Sequence, residues 1–159
     1  MVLRLAFATA LALAVVIGAS GWPGRAVATG PRWIHLRGPG DPDCAGELAS
    51  AKQRGDAAAL YLTEVKCRVH PGWKCPAMCK GDELLVTHVA VKVQRNGQTA
   101  DGQVVRKSDS REFDDMSLNA VKGGAPYPAP PQPLLDGSGA APVNIEFACD
   151  CAERPKAPK

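Results

Sequence analysis

Aromatic residues are scarce in this sequence: three Trp, three Phe and two Tyr, 5% of 159 residues. A core of that composition is small and aliphatic, so packing alone has little apolar area to draw on. An excess of one charge is missing too. The formal net charge is +3 with both signs interspersed, which leaves no electrostatic footprint for nucleic acid. The sequence has no glycine-rich phosphate loop, no serine in a nucleophile-elbow context and no acid/base pair of carboxylates. Asp114 and Asp115 are adjacent on an expected helix and so point apart. His35, His70 and His88 show no ligand spacing. No internal repeat is visible. These absences argue against an enzyme, a resident cofactor and a small-molecule substrate.

Two features are abundant: an apolar N-terminus and cysteine. Arg4 is followed by an apolar run from Leu5 to Ala19, shorter than the ~20 residues of a transmembrane helix. Ala26-Val27-Ala28 fits the small-x-small pattern of a cleavage site, so residues 1–28 read as a secretory signal peptide. An uncleaved inner-membrane anchor is the alternative. Cleavage removes Arg4 and Arg25 from 19 basic residues and leaves 17 against 16 acidic, a mature net charge of +1. All six cysteines, Cys44, Cys67, Cys75, Cys79, Cys149 and Cys151, remain. An even count in an exported chain points to disulfides, each contributing about 2–4 kcal/mol. Cys149 and Cys151 share a strand face, but a bridge between them would strain the backbone. Each is expected to reach a separate partner, such as Cys67 or Cys44, with Cys75 and Cys79 as a local pair. The competing reading of Cys75-Pro76-Ala77-Met78-Cys79 is soft-metal or thiol-redox chemistry. Cys75, Met78 and Cys79 would be ligands for Cu(I), with His70 nearby.

Along the chain, residues 29–55 read as a Gly/Pro-rich extended leader in which Trp33, Ile34 and Leu36 form a small apolar cluster packing loosely on the domain. Cys44 to His70 holds the first helical pattern, with Ala58, Leu60, Leu62, Val65 and Val69 on a stripe, Asp56 as N-cap and Pro71-Gly72 as terminator. Leu85, Val89, Val91 and Val93 then alternate with Val86, His88, Ala90, Lys92 and Gln94 as one face of a strand. Asn96-Gly97 signals a type I′ hairpin turn, and Val104-Val105 lie on the return strand. Asp109 and Glu112 suggest a capping box before a helix that buries Phe113, Met116, Ser117, Ala120 and Val121 and stops at Gly123-Gly124. The prolines of PYPAPPQPLL cross the surface in extended form. Val143, Ile145, Phe147, Cys149 and Cys151 face one side of a closing strand. The fold class is α+β: a two-layer α/β sandwich of order α-β-β-α-β on a small antiparallel three-stranded sheet, spanning 56–151, with a disordered tail at 152–159.

This order resembles the C-terminal domain of the TonB/TolA family of cell-envelope proteins. Val104-Val105-Arg106-Lys107-Ser108 is similar to the family's strand ending VVRSS. Phe113-Asp114, with Leu118 and Ala120-Val121, is similar to its LDxAALxAV helix, and VQRNGQ to its first hairpin turn. Val143-Asn144-Ile145-Glu146-Phe147 resembles the closing strand, and Tyr61 to Pro76 the first helix with its aromatic-proline step. The resemblance implies a non-enzymatic periplasmic module taking part in envelope transport. Its partner would be an outer-membrane receptor or a Tol-like component, held by addition of an extended segment to a sheet edge. The closing strand would supply that edge, with Asn144, Glu146 and Ala148 as contacts. The short leader and the cysteine density differ from the family's energy transducers and imply a stand-alone, stapled module.

Overall fold

The computed structural model of the chain describes residues 32–38, 43–77, 79 and 81–152. The expected signal segment, the tail beyond Ala152 and Met78 lie outside them. Cys44–His70 forms two helices rather than one. Asp43 caps α1 (Cys44–Gln53) by accepting from the Gly46 N–H. Gly55, at φ +67°, then turns the chain. Asp56 caps α2 (Ala57–Val69) by accepting from Ala58 and Ala59, as expected. The break falls at glycine because a left-handed residue cannot continue a helix and only glycine takes it without steric cost. The stretch expected as leader therefore holds a helix. It is tied to α2 by the Cys44–Cys67 disulfide and the 2.7 Å Lys66–Glu47 ion pair. On α2 the buried stripe is Ala58, Tyr61, Val65 and Val69; Leu60 and Leu62 lie to its sides, half-buried.

Strand β2 (Leu84–Val93) pairs antiparallel with β3 (Thr99–Arg106). Leu85, Thr87, Val89, Val91 and Val93 are buried and their neighbours are not, which is the expected alternation. The connecting turn differs from type I′. The Gly97 N–H donates to Gln94 O and the Gln94 N–H to Gln98 O, and Gly97 has φ +79° while Asn96 does not have positive φ. This is the three-residue alternative, a type I turn followed by a left-handed glycine. A Cβ on Gly97 would stand 1.9 Å from the Tyr127 carbonyl oxygen.

Helix α3 (Arg111–Gly123) starts one residue later than its sequence signal. Ser110, not Asp109, is the N-cap, its hydroxyl accepting from the Phe113 N–H. Asp114 is buried and accepts from the Ser108 N–H at 2.9 Å, so it braces the entry to the helix and is not a solvated surface group. At the other end Gly124 has φ −73°, so the helix does not stop through a left-handed glycine. Glycine is there because the Tyr127 hydroxyl would lie 2.6 Å from a Cβ. That hydroxyl donates to Val121 O, and the Tyr127 N–H donates to Gly97 O. The proline-rich crossing is pinned by these bonds to both α3 and the hairpin.

The closing strand β4 (Ala141–Asp150) runs antiparallel to β2. The sheet is mixed and four-stranded, in the order β1-β4-β2-β3. Its extra member, β1 (Trp33–Arg37), comes from the expected leader and lies parallel to β4. One sheet face carries Val89, Val91, Val143, Ile145 and Phe147 into a core shared with Val65, Val69, Phe113 and Val121. Trp73 is buried at its centre, 5.5 Å from the Phe147 ring and 6.3 Å from Phe113. The opposite sheet face carries the polar alternates.

Candidate interaction site

The residues expected to form a free edge, Asn144, Glu146 and Ala148, share that opposite face but sit on an inner strand. Across β1 they face Trp33, His35 and Arg37; across β2 they face Ala90, His88 and Val86. The edge expected on β4 is thus already filled, which corrects the expected placement of the partner edge. Isoleucine and leucine at alternate positions of a five-residue strand supply the reason. Ile34 is 4% and Leu36 1% exposed, so both complete the core beside Ile145 and Phe147. Period-2 burial over so short a run, flanked by Gly and Pro, gives a weak sequence signal.

The polar side of this junction is centred on Glu146. His35 Nδ1 lies 3.1 Å from Glu146 Oε1 and Arg37 3.6 Å from the same oxygen. His88 Nε2 is 3.3 Å from Oε2, close enough for an ion pair but not aligned as a hydrogen bond. The Trp33 ring stacks at a tilt on the His88 imidazole, centroids 4.7 Å apart. The hydrogen bond from His35 holds the Glu146 carboxyl below its ordinary range against the opposing effect of burial, and the charges of His35, His88 and Arg37 act in the same direction as the bond. Three strands therefore meet at one carboxylate: β1 through His35 and Arg37, β2 through His88, and β4 itself. The two histidines showed no ligand spacing along the chain, and only the sheet register brings them together.

The cysteines pair as Cys44–Cys67, Cys75–Cys149 and Cys79–Cys151. Cys149 and Cys151 do reach separate partners, but these are Cys75 and Cys79, so the expected local Cys75–Cys79 pair is replaced. The loop after α2 is stapled twice to the end of β4, through bridges spanning 74 and 72 residues. The sulfurs of Cys79, Cys149 and Cys151 lie within 4.8 Å of one another because the two disulfides stand side by side. Oxidised, they present no thiolate to a metal ion, and Met78, the remaining candidate ligand, is outside the described residues.

A family model described as TonB C terminal matches residues 58–147, more than half of the chain. The chain belongs to the TonB C-terminal family. No curated protein and no solved structure matches it significantly. TonB C-terminal domains are non-enzymatic envelope interaction domains, periplasmic or envelope-associated. Among the described residues no helix is long and apolar enough to cross a membrane. The match covers α2, the hairpin, α3 and most of β4, and it leaves out β1, α1 and the cysteines at 44, 149 and 151. In this TonB C-terminal domain the strand that fills the β4 edge thus lies outside the matched segment.

Proposed function

We propose that the chain is an exported, disulfide-stapled interaction module that binds an extended segment of an envelope protein by sheet-edge addition and carries out no catalysis. One observation supports this above the rest. A strand from outside the matched segment already adds to β4, with main-chain pairing along the strand and alternate side chains sorted between core and polar face. Such sorting is how strand addition combines affinity with choice. Export with cleavage after Ala28 places the three bridges in an oxidising compartment.

The test is site-specific photo-crosslinking in envelope preparations. A photoreactive residue replaces His35 on β1 or Gln103 on β3, both exposed and on outer strands, with Asp115 on α3 as control. The expected result is an adduct from an edge position that maps to one short segment of one envelope protein, and none from Asp115. Equal capture from all three positions, or capture from none, refutes the proposal.

A further inference from the structure

We infer that the two disulfides at the end of β4 form a thiol–disulfide relay, entered by a small cationic thiol at Cys79 and left at Cys75. The relay is a stoichiometric exchange of the chain's own bridges and stands independently of the strand-addition reading. Cys79 Sγ lies 3.7 Å from Cys149 Sγ, although the two belong to different bridges. A disulfide is opened by a thiolate that reaches one of its sulfurs. A bridge between Cys79 and Cys149 needs the gap to close by roughly 1.7 Å, within reach of side-chain rotation.

Cys79 is also where the pair is reached. A cavity of about 350 Å³ is lined by Cys79, Glu83, Leu84, Leu85, Asp109 and Ser110. Leu84 is 63% exposed, so the cavity offers apolar surface beside two carboxylates. None of these lining residues is cationic, which favours a cationic thiol over an anionic one. The steps balance. A thiolate of the substrate attacks Cys79 Sγ, forming a mixed disulfide and expelling Cys151 as thiolate. A second substrate thiol attacks the outer sulfur of that mixed disulfide, departs as the small-molecule disulfide and frees the Cys79 thiolate. Cys79 then attacks Cys149 Sγ, forming Cys79–Cys149 and expelling Cys75 as thiolate. Cys151 and Cys75 take the two protons that the two thiols release. Two electrons have entered, and one bridge of the two remains. Cys75 is half-buried on the loop after α2, whereas Cys149 is 1% exposed. Reduction at the cavity therefore reappears as a thiol at a second, more open position, while β4 stays bridged to the loop.

The experiment treats the full oxidised chain with limiting cysteamine, a cationic thiol, and traps it with N-ethylmaleimide. Tandem mass spectrometry without reduction then maps the products that keep one bridge among these four cysteines. The expected product has Cys79–Cys149 intact and maleimide on Cys75 and Cys151. Any other single bridge, including a retained Cys75–Cys149 or Cys79–Cys151, overturns the relay. Cys151→Ser leaves Cys79 unpaired and gives a second measurement in a chain whose fold circular dichroism checks. Maleimide should label Cys75 in this variant, and label on Cys79 with Cys75–Cys149 retained is the contrary result. Entry is tested by rate. At equal thiolate concentration cysteamine should open the pair about tenfold faster than the anionic mercaptoethanesulfonate. Glu83→Gln with Asp109→Asn should cut that ratio several-fold. Equal rates for the two thiols in the wild-type chain would overturn entry through the cavity.

Discussion

Leu36→Ala measures how firmly β1 belongs to the fold. Leu36 is 1% exposed and fills a core position beside β4, which it joins opposite Phe147. Truncating a fully buried leucine removes its transfer free energy and leaves a cavity, together costing about 2–5 kcal/mol. Here the loss has a ceiling. β1 is the first described element and makes its ladder with β4 alone, so once the defect exceeds the free energy that docks the strand, β1 detaches and the remaining domain stays folded. The expected global loss is therefore about 2–3 kcal/mol, at the lower end of the range. For a domain of this size that lowers the melting temperature by about 8–12 °C. Thermal and urea unfolding of the oxidised chain provide the magnitude, and amide hydrogen exchange locates it. Ile34 to Arg37 should lose protection well before the β2 and β4 amides. Val105→Ala on β3, at a side chain 51% exposed, is the control and should stay within about 0.5 kcal/mol. A Leu36→Ala loss no larger than that of Val105→Ala, with β1 amides exchanging like free peptide in the wild type, would refute the placement of β1 in the core.

Other outcomes follow from single contacts. Glu146→Gln should cost about 1 kcal/mol at neutral pH, since one carboxylate serves three cationic or imidazole partners but His35 is more than half exposed. A carboxyl held below its ordinary range contributes stability that is present above its unfolded-state pKa, 4.5 here, and is lost as pH falls through the lower folded-state value. Wild type should thus lose more stability than Glu146→Gln on acidification below about pH 4.5, and identical acid profiles would contradict the cluster. Non-reducing peptide mapping should recover Cys44–Cys67, Cys75–Cys149 and Cys79–Cys151, and a Cys75–Cys79 peptide would be the contrary result. The double variant Cys79→Ser with Cys151→Ser should lower stability by about 2–4 kcal/mol in urea titration. Ser117→Ala should raise the melting temperature, because the Ser117 hydroxyl is fully buried without a hydrogen-bond partner on a helix that alanine favours.

What could be read from the sequence was whatever local periodicity and capping specify. The alternation through Leu85–Val93 and Val143–Cys151, the Asp56 cap and the α3 stripe all rest on neighbours within a few residues, and each is present, save that Ala148 is also buried and Met116 only half-buried. Features settled by long-range partners were missed. The turn at Asn96-Gly97 takes its form against the Tyr127 carbonyl, thirty residues on in the same core. Gly124 is a local miss of another kind: it owes its identity to the hydroxyl of Tyr127, three residues on, and not to a left-handed cap. The pairing of Cys75 and Cys79 is set by the end of β4, more than 70 residues away. For the candidate site, Asn144, Glu146 and Ala148 alternate with the core residues of β4, but Ala148 is buried and the strand is an inner one. Their neighbours on β1 were not legible, because a five-residue strand between prolines and glycines carries too little pattern to be told from a linker.

That missed strand and the unexpected disulfides bear on one strand. Among the described strands β4 alone has partners on both sides and cysteines at its C-terminal end, and both bridges fasten that end to the loop after α2. With few aromatic residues in the core, packing by itself gives β4 modest resistance, and the antiparallel ladder to β2 secures only one of its sides. Covalent attachment at Cys149 and Cys151 adds resistance that does not depend on what lies along the β1 side. The two bridges and β1 thus secure β4 from different directions, covalently at its C-terminal end and by main-chain pairing along the side that β2 leaves open.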